Sequence, residues 1–349
     1  MKKNNDFNSL TLKSKDSIFL ALKKLNGGPF RFQIVVDNNM NLLGTLTDGD
    51  VRRGLLKGLD LNDEVKRFMN KRPIFSNQAN PQKNAVKLMS VKLLNKFLPV
   101  TDKNNKFRYV LLNEYTLSNK TALIMAGGFG KRLGSRTKNI PKPLLKINNE
   151  PIIESLLKQL EKSNYETIYI SVHYLYKKID DYIKKRKSES NIQLIVEDNP
   201  LGTAGSINLI PKNKYDTLTV VNGDVLTGVS FEALDEFHEE RKNDITITIA
   251  RYDYRVPFGV VDLEKNYNLK EIKEKPIFSH YILSGIYRMN KNICELVGNR
   301  NVDMPEILQS AHNMGKKIGA FPLYEYWKDL GNPDDFKIAK TKNINTEKQ

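Results

Sequence analysis

The spacing of apolar positions along this chain changes repeatedly, and each change marks an element. Ile18, Ala21, Leu22 and Leu25 recur at helical spacing on one face, and Gly27-Gly28-Pro29 ends the run. Gln33-Ile34-Val35-Val36 and Leu42-Leu43-Gly44-Thr45-Leu46 read as strands either side of the turn Asp37-Asn38-Asn39. Thr47-Asp48-Gly49-Asp50 then caps a helix running through Leu56. About sixty residues later the order recurs: a helical period over 84–94, a strand from Phe97 into Asp102, the turn Lys103-Asn104-Asn105 and a strand over 107–112. The pattern predicts an internal repeat, with copies at 10–70 and 71–115.

A polar seam follows at Leu117-Ser118-Asn119-Lys120, and the pattern changes character. Apolar strands at 122–125, 167–172, 192–196 and 218–221 alternate with helical stretches at 152–162, 177–186 and 204–209. Such alternation predicts an α/β domain with a parallel sheet covered on both faces. Ligands then bind beyond the C-terminal strand ends. From Asp244 onward strands follow one another, which predicts antiparallel additions. The expected domains are 1–117 and 118–349.

Composition narrows the function classes. A length of 349 residues suits two domains, and 40% hydrophobic residues suit a globular protein. No run approaches the ~20 apolar residues of a membrane helix. The stretch after Met1-Lys2-Lys3 is too polar for a signal peptide, and the single cysteine, Cys294, excludes an intramolecular disulfide. A cytoplasmic protein without a membrane partner is expected. The net charge of +16 raises nucleic-acid binding. The excess is mostly Lys spread among abundant Asn, which reads as a solvated surface bias, so no nucleic-acid partner is expected.

The chemistry concentrates after the first strand of the second domain. Gly127, Gly128 and Gly130 let the backbone turn sharply and turn N–H groups toward an anion. Arg132 adds a planar fork for phosphate oxygens, and Lys142, in Pro141-Lys142-Pro143, adds a point charge. No Gly-Lys-Ser/Thr follows, so the loop is not a Walker loop, and Leu133 stands where a dinucleotide fingerprint wants a small residue. Val220-Val221-Asn222-Gly223-Asp224 ends a buried strand in a carboxylate suited to Mg²⁺. His173 and Cys294 read as structural residues, and the four histidines lack zinc-ligand spacing.

The Gly-Gly-Phe-Gly-Lys-Arg-Leu stretch with Pro-Lys-Pro resembles the sugar-1-phosphate nucleotidyltransferases, over roughly residues 120–340. The resemblance implies a Rossmann-like mixed sheet with helices on both faces and a Mg²⁺-dependent reaction. In it a sugar-1-phosphate attacks the α-phosphorus of a nucleoside triphosphate and pyrophosphate leaves. It gives Arg132 the β,γ-phosphates, Lys142 the α-phosphate, and Asp224 and Asp329 the metal, the last from Trp327-Lys328-Asp329-Leu330-Gly331-Asn332-Pro333. It gives Lys275, in Glu274-Lys275-Pro276, the sugar phosphate. Gly285 is then the close approach to the sugar, and Glu197, Gly202, Thr203 and Gly223 join Gly127, Gly128 and Gly130 around the nucleotide. Every such motif lies past the seam, so residues 119–349 alone are expected to keep the chemistry.

The first half resembles a CBS-domain pair, carried by Gly44-Thr45-Leu46-Thr47-Asp48-Gly49-Asp50. That resemblance implies an adenine or guanine nucleotide held by Thr47 and Asp50. A purely structural module in which these residues cap a helix stays open. The combined architecture most resembles bacterial guanylyltransferases of surface-glycan biosynthesis, of the type that uses GTP with glucosamine-1-phosphate or a related hexose- or heptose-1-phosphate. A uridylyl-, cytidylyl- or thymidylyltransferase and a catalytically inactive nucleotide sensor are the alternatives. A homo-oligomer is expected.

Overall fold

The computed structural model describes residues 2–77, 80–113 and 119–341; Leu117 and Ser118 of the expected seam lie outside the described residues. The first half runs β1 (Lys2–Asn4), α1 (Phe7–Leu10), β2 (Thr11–Lys13), α2 (Ile18–Gly27), β3 (Phe32–Val36), β4 (Leu42–Thr47), α3 (Asp48–Leu56), α4 (Val65–Phe68), α5 (Pro81–Met89), β5 (Lys96–Thr101) and β6 (Phe107–Asn113). Two three-stranded sheets result, ordered β2-β3-β4 and β1-β6-β5. β1 pairs antiparallel with β6, so residues before the expected first copy complete the second copy's sheet. Phe32 and Phe97 stack at 3.9 Å between the copies, inside a shared core with Ile34, Val36 and Val110.

The helix expected over 84–94 ends at Met89. The Ser90 N–H returns to the Val86 and Lys87 carbonyls and its hydroxyl donates to Lys87 O, which closes the helix. The chain then leaves to meet the second half, where Leu94 N–H donates to Glu240 and the Asn95 amide to Glu236.

The second half runs β7 (Thr121–Met125), β8 (Lys146–Ile147), β9 (Glu150–Pro151), α6 (Ile152–Lys162), β10 (Thr167–Val172), α7 (Tyr176–Lys185), β11 (Asn191–Val196), β12 (Thr217–Asn222), β13 (Val225–Thr227), α8 (Phe231–Arg241), β14 (Ile245–Arg255), β15 (Gly259–Leu263), β16 (Leu269–Glu274), β17 (Ile277–Asn290), α9 (Lys291–Cys294), α10 (Met304–Asn313), β18 (Ile318–Pro322), β19 (Trp327–Asp329) and α11 (Pro333–Thr341). The stretch at 204–209 is a single 3-10 turn, Gly205–Leu209. Seven strands form one mixed sheet ordered β11-β10-β7-β12-β17-β14-β18. β11, β10, β7 and β12 are parallel, and β17 enters antiparallel to both neighbours.

Side chains of β7 alternate between two cores. Ala122 and Ile124 pack under α6, α7 and α8, and Leu123 packs under α9 and α10. The strand order reverses between β7 and β12, since the chain moves outward to β10 and β11 and returns to β7's other side. A crevice opens at such a switch point. Among the described residues no helix is long and apolar enough to cross a membrane.

The halves meet through buried charge. Arg52 of α3 is fully buried and pairs with Asp48 and with Glu325 of the second half, both at 2.7 Å. It also donates to the Pro322 carbonyl and lies over the Phe321 and Tyr324 rings at 3.6 and 4.3 Å. Arg31 reaches Ser230, Glu232 and Glu236 at 2.7, 3.4 and 3.2 Å. Removing the first half would strip Glu325 and Glu236 of these cations.

Candidate active site

The switch point gathers the expected charges. β7 delivers the glycine loop and β12 delivers Asn222-Gly223-Asp224, and Gly223 N–H donates to Met125 O at 2.8 Å across the two ends. A cleft of about 260 Å³ opens there, lined by Gly127, Gly128, Lys142, Gly202, Thr203 and Asp224 among others. Gly130 adopts φ +64°, and a Cβ there would come within 2.8 Å of Thr137 Cγ2, so a side chain would be strained and would displace Thr137.

Four charged groups converge. The Lys142 ammonium pairs with the Asp224 carboxylate. Asp329 lies opposite Val225 in the β13–β19 ladder, and Leu330 N–H donates to Asp224 O at 3.2 Å. Trp327 fixes β19 by donating its indole N–H to Ser284 O at 2.8 Å. Burial and the neighbouring Asp224 charge push the Asp329 carboxyl above its ordinary range, against the pull of Lys142 and Arg132. The Arg132 guanidinium sits beside Gly331, at 3.4 Å from where a Cβ would stand.

Among the described residues no group of three or more His, Cys, Asp or Glu could hold a metal. Two carboxylates do suit Mg²⁺, which takes one or two protein carboxylates and completes its octahedron with water and substrate phosphate. The raised Asp329 carboxyl and the ammonium already held by Asp224 both mark a place that stabilises added positive charge.

Other expected residues have structural duties. Both Glu197 oxygens are engaged, one by the Ser171 hydroxyl and one by Leu201 N–H at 3.0 Å, so Glu197 braces the cleft wall. Thr203 donates N–H and hydroxyl to Asp303 at 2.8 and 3.0 Å and accepts from Met304 N–H, tying the cleft rim to α10. Gly285 has φ +77°, and a Cβ there would meet Asn222 Nδ2 at 2.6 Å. Its missing side chain makes room for Asn222. His173 donates from Nδ1 to Glu197 O at 2.8 Å, as a structural residue would. Cys294 is buried in the core, where burial pushes its thiol up to about 12.

Lys275 does not join the cluster. β14 and β17 stay paired as far as Arg255 opposite Ile277, and this carries Lys275 away on an exposed ribbon, where its ammonium lies 3.8 Å from Glu274. Ten residues of strand separate it from Gly285, roughly 30 Å. Sequence reasoning missed Asn222, whose side-chain oxygen is buried without a partner in the cleft lining. Its position two residues before Asp224 was the available signal.

At the first half, Thr47 and Asp50 form a reciprocal capping box for α3. Asp50 accepts from Thr47 N–H at 2.9 Å and pairs with Arg53 through its other oxygen. A cavity of about 600 Å³ lies between the halves, with Thr47, Arg31, Arg53, Glu236 and Arg241 in its wall.

Comparison with known proteins finds two family models. The nucleotidyl transferase family model matches residues 121–346, and the CBS domain model matches residues 5–57. The mannose-1-phosphate guanyltransferase of Aspergillus oryzae is 32% identical over 224 residues, 62% of each chain. The mannose-1-phosphate guanylyltransferase catalytic subunit beta of Drosophila pseudoobscura is 30% identical, over 63% of this chain and 62% of that one. Matched residues thus span about three fifths of these relatives' length. The crystal structure of HddC from Yersinia pseudotuberculosis is 28% identical, with a TM-score of 0.50, over 64% of this chain and 98% of that one.

Proposed function

Because the chain belongs to the nucleotidyl transferase family, we propose that it transfers a nucleoside monophosphate from GTP to a hexose-1-phosphate, releasing pyrophosphate. The observation that carries this is the meeting of Lys142, Asp224, Asp329 and Arg132 beside the glycine loop at the sheet's switch point. A phosphate oxygen of the sugar-1-phosphate forms a bond to the α-phosphorus, and the bond to the β-phosphate oxygen breaks. The nucleophile is already ionised, so no side chain must act as base, and positioning with charge neutralisation carries the rate.

Arg132 holds the leaving pyrophosphate, and Lys142 offsets charge at the α-phosphate. Asp224 and Asp329 would hold Mg²⁺, which would supply Lewis-acid polarisation of the phosphates. Asn222 offers a buried acceptor to a substrate hydroxyl. Lys275 has no part in this arrangement of the ribbon.

The guanine base is supported by the relatives named as mannose-1-phosphate guanyltransferases. Mannose-1-phosphate and glucosamine-1-phosphate are the acceptors to compare. Soluble nucleotide and sugar-phosphate pools fit a cytoplasmic site of action. Pyrophosphate release over a panel of triphosphates and sugar-1-phosphates tests the proposal. Turnover with GTP supports it, turnover with only another base moves the chain to that specificity, and silence with every pair leaves a nucleotide sensor.

The cavity between the halves favours a second ligand. Its volume suits an adenine or guanine nucleotide, and its wall sets five cations, Arg53 and Arg241 among them, against five carboxylates. Calorimetry on the full chain checks this, and heat lost in Arg53→Ala locates the ligand there.

A further inference from the structure

The loop that carries Arg132 and leads into Lys142 packs little of its own length into a core. From Gly128 to Ile140 only Leu133 and Thr137 are buried. Leu133 joins the cluster of Ile152 and Leu330, and the Thr137 hydroxyl donates to the Gly130 carbonyl at 3.0 Å. Lys138, Asn139 and Ile140 then cross an exposed stretch before the buried Pro141 and Lys142 itself.

One turn of chain after β10 reaches this loop on both sides of Arg132. The His173 ring is held by its bond to the Glu197 carbonyl, and Leu175 enters the left-handed region at φ +54°. A bulky side chain seldom adopts that conformation. Here it turns the chain into α7 with Tyr174 and Lys178, four residues apart, facing the loop. The Tyr174 hydroxyl donates to the Lys138 carbonyl at 2.8 Å, and the Lys178 ammonium donates to the Asn139 carbonyl. Upstream of Arg132, the Phe129 ring lies 5.5 Å from His173 and 5.6 Å from Tyr174. Both carbonyls belong to exposed residues that water could satisfy, so these bonds add little to stability and act on the loop's position.

We propose, on the transferase reading of the cleft, that Tyr174 and Lys178 are positioning residues for the triphosphate: they clasp residues 129–139 against α7 and so set Arg132 and Lys142 for the phosphates. Neither side chain lines the cleft, so each acts through the loop. With the clasp undone, the loop must be ordered as the triphosphate binds, and that cost falls on the phosphates alone.

Calorimetry of the full chain with magnesium pyrophosphate reads the cradle without any base or sugar. Tyr174→Phe keeps the ring beside Phe129 and removes only the hydroxyl. It should weaken pyrophosphate binding about fivefold, the worth of one hydrogen bond, and Tyr174→Phe with Lys178→Met should weaken it about twentyfold. KM for the triphosphate should rise in step, while KM for the sugar-1-phosphate stays within about twofold. Hydrogen exchange should quicken over 128–140 and stay unchanged in the sheet. Lys184→Met breaks a pair with Asp180 inside α7 and should change none of these. A double variant that binds pyrophosphate like wild type overturns the proposal, as does an equal rise in both KM values, because α7 then only supports the fold. A wild type that binds no pyrophosphate overturns it too. The predicted losses of pyrophosphate in a chain that turns over no substrate pair would uphold the clasp and defeat the transferase reading instead.

Discussion

Replacing Arg52 with alanine tests whether the two halves act as one unit. The guanidinium is fully buried, with two carboxylate partners, one carbonyl acceptor and two aromatic rings. Burial alone would raise the Asp48 carboxyl, but Arg52 and then Arg31 hold it below its ordinary range. Arg52→Ala leaves Asp48 and Glu325 as buried charges without their main cation, and removing one partner of a buried ion pair costs about 3–5 kcal/mol. Because the cost falls on the junction, it should appear as earlier unfolding of the first half, with its melting lowered by roughly 12–20 °C. Glu325 lies four residues before Asp329, so turnover should fall as well. Differential scanning calorimetry reads the melt, and hydrogen exchange assigns it to a half. Arg52→Lys keeps the charge without the fork and should fall between. A melt within about 1 °C of wild type would refute the reasoning, because it would mean the buried network is energetically idle.

Asp224→Asn should lower turnover by about a hundredfold or more with an unchanged circular dichroism spectrum. Arg132→Ala should raise KM for the triphosphate more than for the sugar phosphate, and Lys275→Ala should leave both within about twofold if the ribbon stays extended; steady-state kinetics separates the cases. Asp329 is protonated more readily in the folded chain than in the unfolded one, so its charge costs stability at neutral pH and that cost fades as pH falls through its raised pKa. Asp329→Asn should therefore stabilise the metal-free protein at pH 7 while abolishing turnover, with the gain lost in acid, as denaturant titration at both pH values will read. His238 is held neutral by burial, with its pKa lowered to about 4. Stability should fall as pH drops from the unfolded value toward 4, with a slope of about one proton that His238→Gln removes.

The cleft was legible because its chemistry is local in the chain. Gly127 to Arg132, Asn222-Gly223-Asp224 and the stretch from Trp327 each sit at a strand end, and the alternation of strands and helices puts those ends together. What escaped was set by contacts distant in sequence. Arg52 looks like a surface residue of an amphipathic helix until Glu325 and Pro322 close over it. Lys275 sits in a motif that suggests phosphate, yet the long β14–β17 pairing carries it off. The contact of Gly285 with the Asn222 side chain across the sheet is likewise invisible in local sequence. The early end of α5 follows from Leu94 and Asn95 docking on α8, which no local periodicity encodes.

Phosphorus-31 NMR of the full chain with GTP, magnesium and a hexose-1-phosphate tests the central claim most directly. The account predicts equal growth of pyrophosphate and of a paired diphosphate-ester signal from the nucleotide sugar, both abolished by Asp224→Asn. Release of orthophosphate instead, or equal product from the Asp224→Asn variant, would contradict it.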